Sequence, residues 1–136
     1  MKLTQGFREI DHTADWELEV WAPDLTALLV QAAEGMFHLA GLQVNPSSGR
    51  QITFTLPFLE PEQLLVAFLN ELLFRSVFTG SGLVDLSVRI DQDRLHAHAT
   101  AFPLKSVDKE IKAATYHDLK IHQDRNGFHT RIVFDV

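Results

Sequence analysis

Two stretches of this chain repeat apolar residues at three- and four-residue steps, and that spacing limits what it can fold into. In the first, opened by Pro23 and Asp24, Leu25, Leu28, Leu29, Ala32, Ala33, Met36 and Phe37 make one stripe that ends before Gly41. In the second, Pro61 precedes Leu64, Leu65, Phe68, Leu69, Leu72 and Leu73, with Glu71 at the edge of the stripe and glycines at 80 and 82 beyond it. Each pattern predicts an amphipathic helix with a single face to bury. Around them the period falls to two. Trp16, Leu18 and Val20 alternate with Glu17 and Glu19, and Gln51 to Leu56 reads as a strand after the loop NPSSG. Val84, Leu86, Val88 and Ile90 face inward before a turn at DQD, and Leu95, Ala97 and Ala99 after it. Half-buried strands of this kind pair as antiparallel hairpins and need a covering layer. The expected fold is therefore α+β, with two amphipathic helices packed on a largely antiparallel β-sheet in a single domain over residues 1–136.

Composition narrows the chemistry. The chain has no cysteine, which removes disulfides, thiolate nucleophiles and cysteine-bound zinc or iron–sulfur sites and leaves carboxylates and imidazoles as ligands. No apolar run approaches the roughly 18 to 20 residues that span a bilayer, and MKLTQGFREI lacks the apolar core of a signal peptide. A soluble, cytoplasmic protein is expected. A net charge of −6 opposes sequence-independent binding to phosphate backbones, which draws its energy from clustered Lys and Arg. No direct, stable nucleic-acid binding is expected.

The C-terminal segment EIKAATYHDLKIHQDRNGFHTRIVFDV holds Asn126-Gly127 between two alternating runs, a strong hairpin signal. A two-residue Asn126-Gly127 loop sets Ile121 opposite Ile132 and Leu119 opposite Phe134, so the apolar faces coincide. It also sets Asp118 opposite Asp135, beside the terminal carboxylate of Val136. Facing carboxylates repel, so these acids either lie apart in solvent as a frayed strand end or gather around a hard cation, which takes several oxygen ligands. Asp15, outward at the start of the first alternating run, could join them. On this count Lys112, Tyr116 and Asp118 share one face and His117 falls inward as a core-edge histidine. His96 and His98 occupy the outer face of one strand at a spacing able to chelate a transition metal, but nothing places a third ligand beside them, and His122 and His129 only add to the number. Solvated surface histidines are the preferred reading, and a zinc hydrolase the lesser one. Serine-hydrolase elbows, H-E-x-x-H, Walker A and dinucleotide glycine motifs are absent.

Four segments in order, IDHTAD (Ile10 to Asp15), LLVAFLNELLF, EIKAATYHDLKI (Glu110 to Ile121) and the closing VFDV, together resemble the archease family from end to end. The resemblance implies an accessory protein, not itself an enzyme, for the GTP-dependent ligase that joins 3′-phosphate or 2′,3′-cyclic phosphate RNA ends to a 5′-hydroxyl in tRNA splicing and RNA repair. Such a protein promotes guanylylation of the ligase and its multiple turnover. It also implies a bound divalent cation, most simply Ca2+, held by Asp15, Asp135 and the main-chain oxygens of Val136. His12, Lys112, His117, Asp118 and Glu71 become candidate partner contacts or supports of those ligands. Trp16-Glu17 departs from the isoleucine-glycine pair usual after HTAD in the family, which alters the local surface and leaves Asp15 in place. Two other classes of function stand beside this one: a metal-dependent phosphoester hydrolase acting alone, and a chaperone-like protein-binding module.

Overall fold

Both apolar stripes fold as helices, α1 (Leu25–Leu39) and α2 (Pro61–Thr79). The computed structural model describes residues 4–11, 16–58 and 60–136. The Asp24 carboxylate starts α1 by accepting the Ala27 N–H at 2.9 Å, satisfying a donor with no partner inside the helix. Pro61 starts α2, where its missing N–H costs nothing, and Gly80 ends it in the left-handed conformation (φ 64°). Among the described residues no helix is long and apolar enough to cross a membrane.

The strands are β1 (Gly6–Ile10), β2 (Trp16–Ala22), β3 (Gln43–Val44), β4 (Arg50–Pro57), β5 (Ser81–Asp91), β6 (Arg94–Ser106), β7 (Ala113–Ala114), β8 (His122–Asp124) and β9 (Gly127–Asp135). All pairings are antiparallel, and they build two sheets rather than one. In the first, β9 lies between β2 and the short strands β7 and β8. In the second, β6 pairs with each of β3, β4 and β5. The helices touch each other, and each packs on strands of both sheets. The core between them includes Leu18, Leu28, Leu64, Phe68, Ile132 and Phe134, all essentially inaccessible. The α+β expectation holds, with the sheet divided in two.

Two local readings change, and one strand is new. The β5 strand carries a bulge in which Asp85 (φ 54°) and Leu86 together oppose Ala99. An extra residue reverses the inward parity, so Leu83 rather than Val84 is buried before it, while Leu86, Val88 and Ile90 face inward after it. The C-terminal hairpin turns one residue earlier than expected, with Asp124 opposite Gly127 and Arg125-Asn126 between them. The Asp124 carboxylate accepts the Asn126 N–H at 2.8 Å, and this side-chain turn outcompetes the Asn-Gly loop. Gly127 is needed for another reason: a Cβ there would collide with the Ala22 carbonyl. Finally β1, a short edge strand whose residues do not alternate in burial, had no periodic signature.

Asn70, polar within an apolar helix, ties α2 to the first sheet. Its side-chain amide donates to the Ala114 carbonyl at 3.2 Å and accepts the Ala114 N–H at 2.8 Å, so it substitutes for a neighbouring strand along β7. Replacing Asn70 by Ala leaves both main-chain groups unpaired and should lower unfolding free energy by about 1–3 kcal/mol. A denaturant midpoint unchanged from wild type would refute this tether. Gly35 of α1 lies 2.5 Å from Leu18 Cδ2 and 2.9 Å from Phe7 Cγ once a Cβ is added. Gly35→Ala should therefore destabilise by about 1–2 kcal/mol despite the better helix propensity of alanine. A rise in thermal midpoint would show that Phe7 and Leu18 yield freely.

Candidate cation and partner site at the end of the interior strand

Strand β9 delivers Asp135 and Val136 to one end of the first sheet, and β2 begins at that same end because Trp16 pairs with Phe134. Leu18 opposite Ile132 and Val20 opposite Thr130 fix this register through buried side chains, since a one-residue slip would turn them to solvent. Asp15 is bonded directly to Trp16. Asp15 itself and His12 lie outside the described residues. Asp135 is exposed, while Val136 is half-buried and packs on the core. On the other edge of β9, Ala113 pairs with Asp135 and the Lys112 N–H donates to the Asp135 carbonyl at 2.8 Å.

Asp118 is therefore not the cross-strand partner of Asp135. After β7 the chain leaves the edge of β9 and, before β8, makes a turn in which the Leu119 N–H donates to the Tyr116 carbonyl at 3.0 Å and Asp118 takes a positive φ of 51°. That break shifts the register between β8 and β7 and puts Ala113 where Asp118 was expected. His117 is not a core-edge residue either. It is exposed beside Asp118, with Nε2 3.3 Å from Oδ2, and its side chain retains 68% of its accessibility. The turn is anchored from below, where Glu62 Oε2 accepts the Ile121 N–H at 3.0 Å and Thr130 Oγ1 donates to the Lys120 carbonyl at 2.8 Å.

Glu71 is committed within its own helix. It forms a 2.9 Å ion pair with Arg75, whose guanidinium lies 4.6 Å over the Phe54 ring. Lys112 is exposed and lines an open cavity of about 490 Å³ between α2 and residues 110–113, with Asn70, Leu73, Phe74, Val77 and Phe78 on the other side. Phe74, Val77 and Phe78 are 53%, 65% and 81% accessible, and the two phenyl rings touch, 5.6 Å between centroids. Periodicity could not flag these residues, because an apolar residue off the main stripe looks like any other. Lys109 also escaped the sequence reading. Its ammonium lies 5.6 Å from the centre of the Trp16 ring, and its N–H, like that of Asp108, donates to the Ala40 carbonyl.

The oxygen groups that β9 brings here, a carboxylate and the main-chain oxygens of the last residue, are hard donors of the kind that Ca2+ or Mg2+ selects. Among the described residues no three His, Cys, Asp or Glu side chains converge as a ready-made metal cage. His96 and His98 sit on the outer face of β6 in the second sheet, whereas His122 and His129 stack across β8 and β9 with centroids 5.0 Å apart. The four imidazoles thus form two separate pairs.

The likeness seen in the sequence extends to known proteins. "Probable protein archease" from Mycobacterium tuberculosis (strain CDC 1551 / Oshkosh) is 29% identical over 140 residues, covering 98% of this chain and 76% of that one. "Protein archease" from Methanosarcina barkeri is 29% identical over 143 residues, covering 96% and 95%. The solution structure of Methanobacterium thermoautotrophicum protein 1598 superposes with a TM-score of 0.68 at 25% identity over 98% of this chain and 100% of that one. The crystal structure of a Thermotoga maritima protein described as an archease and possible chaperone gives a TM-score of 0.70 at 23% identity over 95% and 96%, a likeness of fold. The model of the archease protein family (MTH1598/TM1083) matches residues 7–136, and the chain accordingly belongs to the archease family.

Proposed function

We propose that this archease is an accessory protein, not an enzyme in its own right, that activates a GTP-dependent 3′-phosphate/5′-hydroxyl RNA ligase of the cytoplasm by promoting its guanylylation and repeated turnover. Family membership over residues 7–136 carries the reading. Two features of the chain support it. The pairing of Trp16 with Phe134 brings the residue after Asp15 and the residue before Asp135 together, so Asp15, the Asp135 carboxylate and the main-chain oxygens of Val136 are the candidate ligands of a divalent cation, most simply Ca2+. Such a cation, when bound, would supply positive charge to the developing charge of nucleotidyl transfer. Beside that corner, Phe74, Val77 and Phe78 expose apolar surface next to Lys112, which suits a protein partner better than solvent.

In this reading Asp15 and Asp135 hold the cation, while Lys112 and Lys109 present ammonium groups to the ligase or to the phosphates of its nucleotide. His12, His117 and Asp118 are left to partner contact, the last two at the exposed rim, and Glu71 keeps Arg75 in place on Phe54. The acidic whole favours encounter with a ligase surface made basic for RNA. A chaperone-like alternative is favoured by the same exposed phenylalanines and by the description of the Thermotoga maritima protein. It predicts protection of unrelated clients from aggregation. A self-acting phosphoester hydrolase predicts turnover by the purified protein alone.

The decisive assay is ligation with scarce ligase and excess RNA ends. Wild-type protein should raise product per ligase, and Asp15→Ala or Asp135→Ala should abolish the gain while weakening Ca2+ binding at least about tenfold by calorimetry. Both variants activating normally would remove the acid pair from the function. The double variant Phe74→Ser, Phe78→Ser should lose activation yet keep its unfolding free energy within about 0.5 kcal/mol, as exposed substitutions do. Full activation by this variant would place the ligase elsewhere.

A further inference from the structure

The outer face of the second sheet bears a charge opposite to that of the chain as a whole. Because β6 pairs on both sides, three rows of side chains cross it: Thr53, His98 and Ser87; then Thr55, His96 and Arg89; then Pro57, Arg94 and Asp91. Two guanidinium groups, two imidazoles and three hydroxyls thus meet one carboxylate on a protein of net charge −6. The β5 bulge makes this possible. Without the extra residue at Asp85, Ser87 and Arg89 would point into the core and Leu86 and Val88 to solvent. The bulge also leaves the Asp85 carboxylate off the face, where it lines a cavity beside Glu34 and His38 of α1.

From this arrangement we infer that the depression over β6, about 470 Å³ and bordered by Thr53, Thr55, Ser87, Arg89, His96 and His98, is a binding site for a phosphate group, free or carried on a small nucleotide. Residues two apart on a strand stand about 6–7 Å from each other, room for a tetrahedral oxyanion between the half-buried rings of His96 and His98. Each neutral imidazole offers one N–H, the Thr53 and Ser87 hydroxyls one O–H each, and Arg89 a fork matched to two phosphate oxygens. Arg89 now pairs with Asp91 at 3.2 Å and Arg94 donates to Thr55 Oγ1 at 2.9 Å. The Arg89 pair is exposed on both sides, so it is weak and open to exchange for a doubly charged anion. The same neighbours argue against a transition metal on His96 and His98. Arg89 stands directly opposite His96 and repels a dication, and among the described residues no third acid or histidine joins the two rings.

Imidazole resonances of the full-length protein test the site, with inorganic phosphate as the probe, chloride at matched ionic strength as the control, and the His122–His129 pair as internal reference. His96 and His98 should shift saturably with phosphate and not with chloride, while His122 and His129 stay in place. Arg89→Gln, an exposed substitution, should weaken the response about tenfold, as expected for losing a charge-assisted hydrogen bond. Adenosine 5′-monophosphate saturating below the phosphate concentration would identify a nucleotide as the natural source, and equal saturation a free phosphate. Parallel movement of all four histidines, an unchanged response in Arg89→Gln, or movement with Zn2+ but not phosphate would each overturn the proposal.

Discussion

Strand β9 is the element on which the rest of the molecule depends. It is paired along nearly its whole length with β2, and its other edge is shared between β8 at the start and β7 at the end. Ile132 and Phe134 drive its inner face into the core beneath α1 and α2, so the strand cannot slide without burying its polar face. Its last residues are consequently held in register with the beginning of β2, although they are close in sequence only to the chain's end. The proposed cation site would take the position of Asp135 from the sheet, which is a firmer basis than a loop.

The helices complete this support unequally. α1 is packed tightly enough that Gly35 has no room for a methyl group. α2 is joined to the first sheet through hydrogen bonds as well as packing, with Asn70 acting as a strand neighbour for β7 and Glu62 holding the loop that precedes β8. Its final turns then carry Phe74, Val77 and Phe78 to solvent. Asn70 and the exposed Phe74 thus lie on neighbouring turns, and Lys112 borders both.

Two irregularities decide which side chains reach the surface. The bulge at Asp85 turns Ser87 and Arg89 outward, and the turn at Asp118 interrupts what would otherwise be one long hairpin. Each uses a non-glycine residue at positive φ, which costs local energy and persists only where neighbouring structure compensates. Aspartate tolerates that conformation better than most residues. The first changes the face of every β5 residue after it; the second sets β7 and β8 in different registers on β9.

Periodicity alone determined the two helices, the strand β4, the faces of β2 and β6, and the α+β class, because each depends on which residues within a short window can share one buried side. The motif resemblance likewise reached the family, whereas the ligand set it implies, Asp15, Asp135 and Val136, belongs to the proposed function. What the local pattern could not contain was the competition between turns: the Asp124 side chain moved the hairpin by one residue, and the register shift between β7 and β8 separated Asp118 from Asp135. The role of Asn70 was equally hidden, since an amide in a helical stripe reveals its purpose only when a strand lies opposite it. Those outcomes belong to the tertiary structure because they are settled by pairings between residues 44 or more positions apart, or by one turn winning over another under the constraint of the packed core.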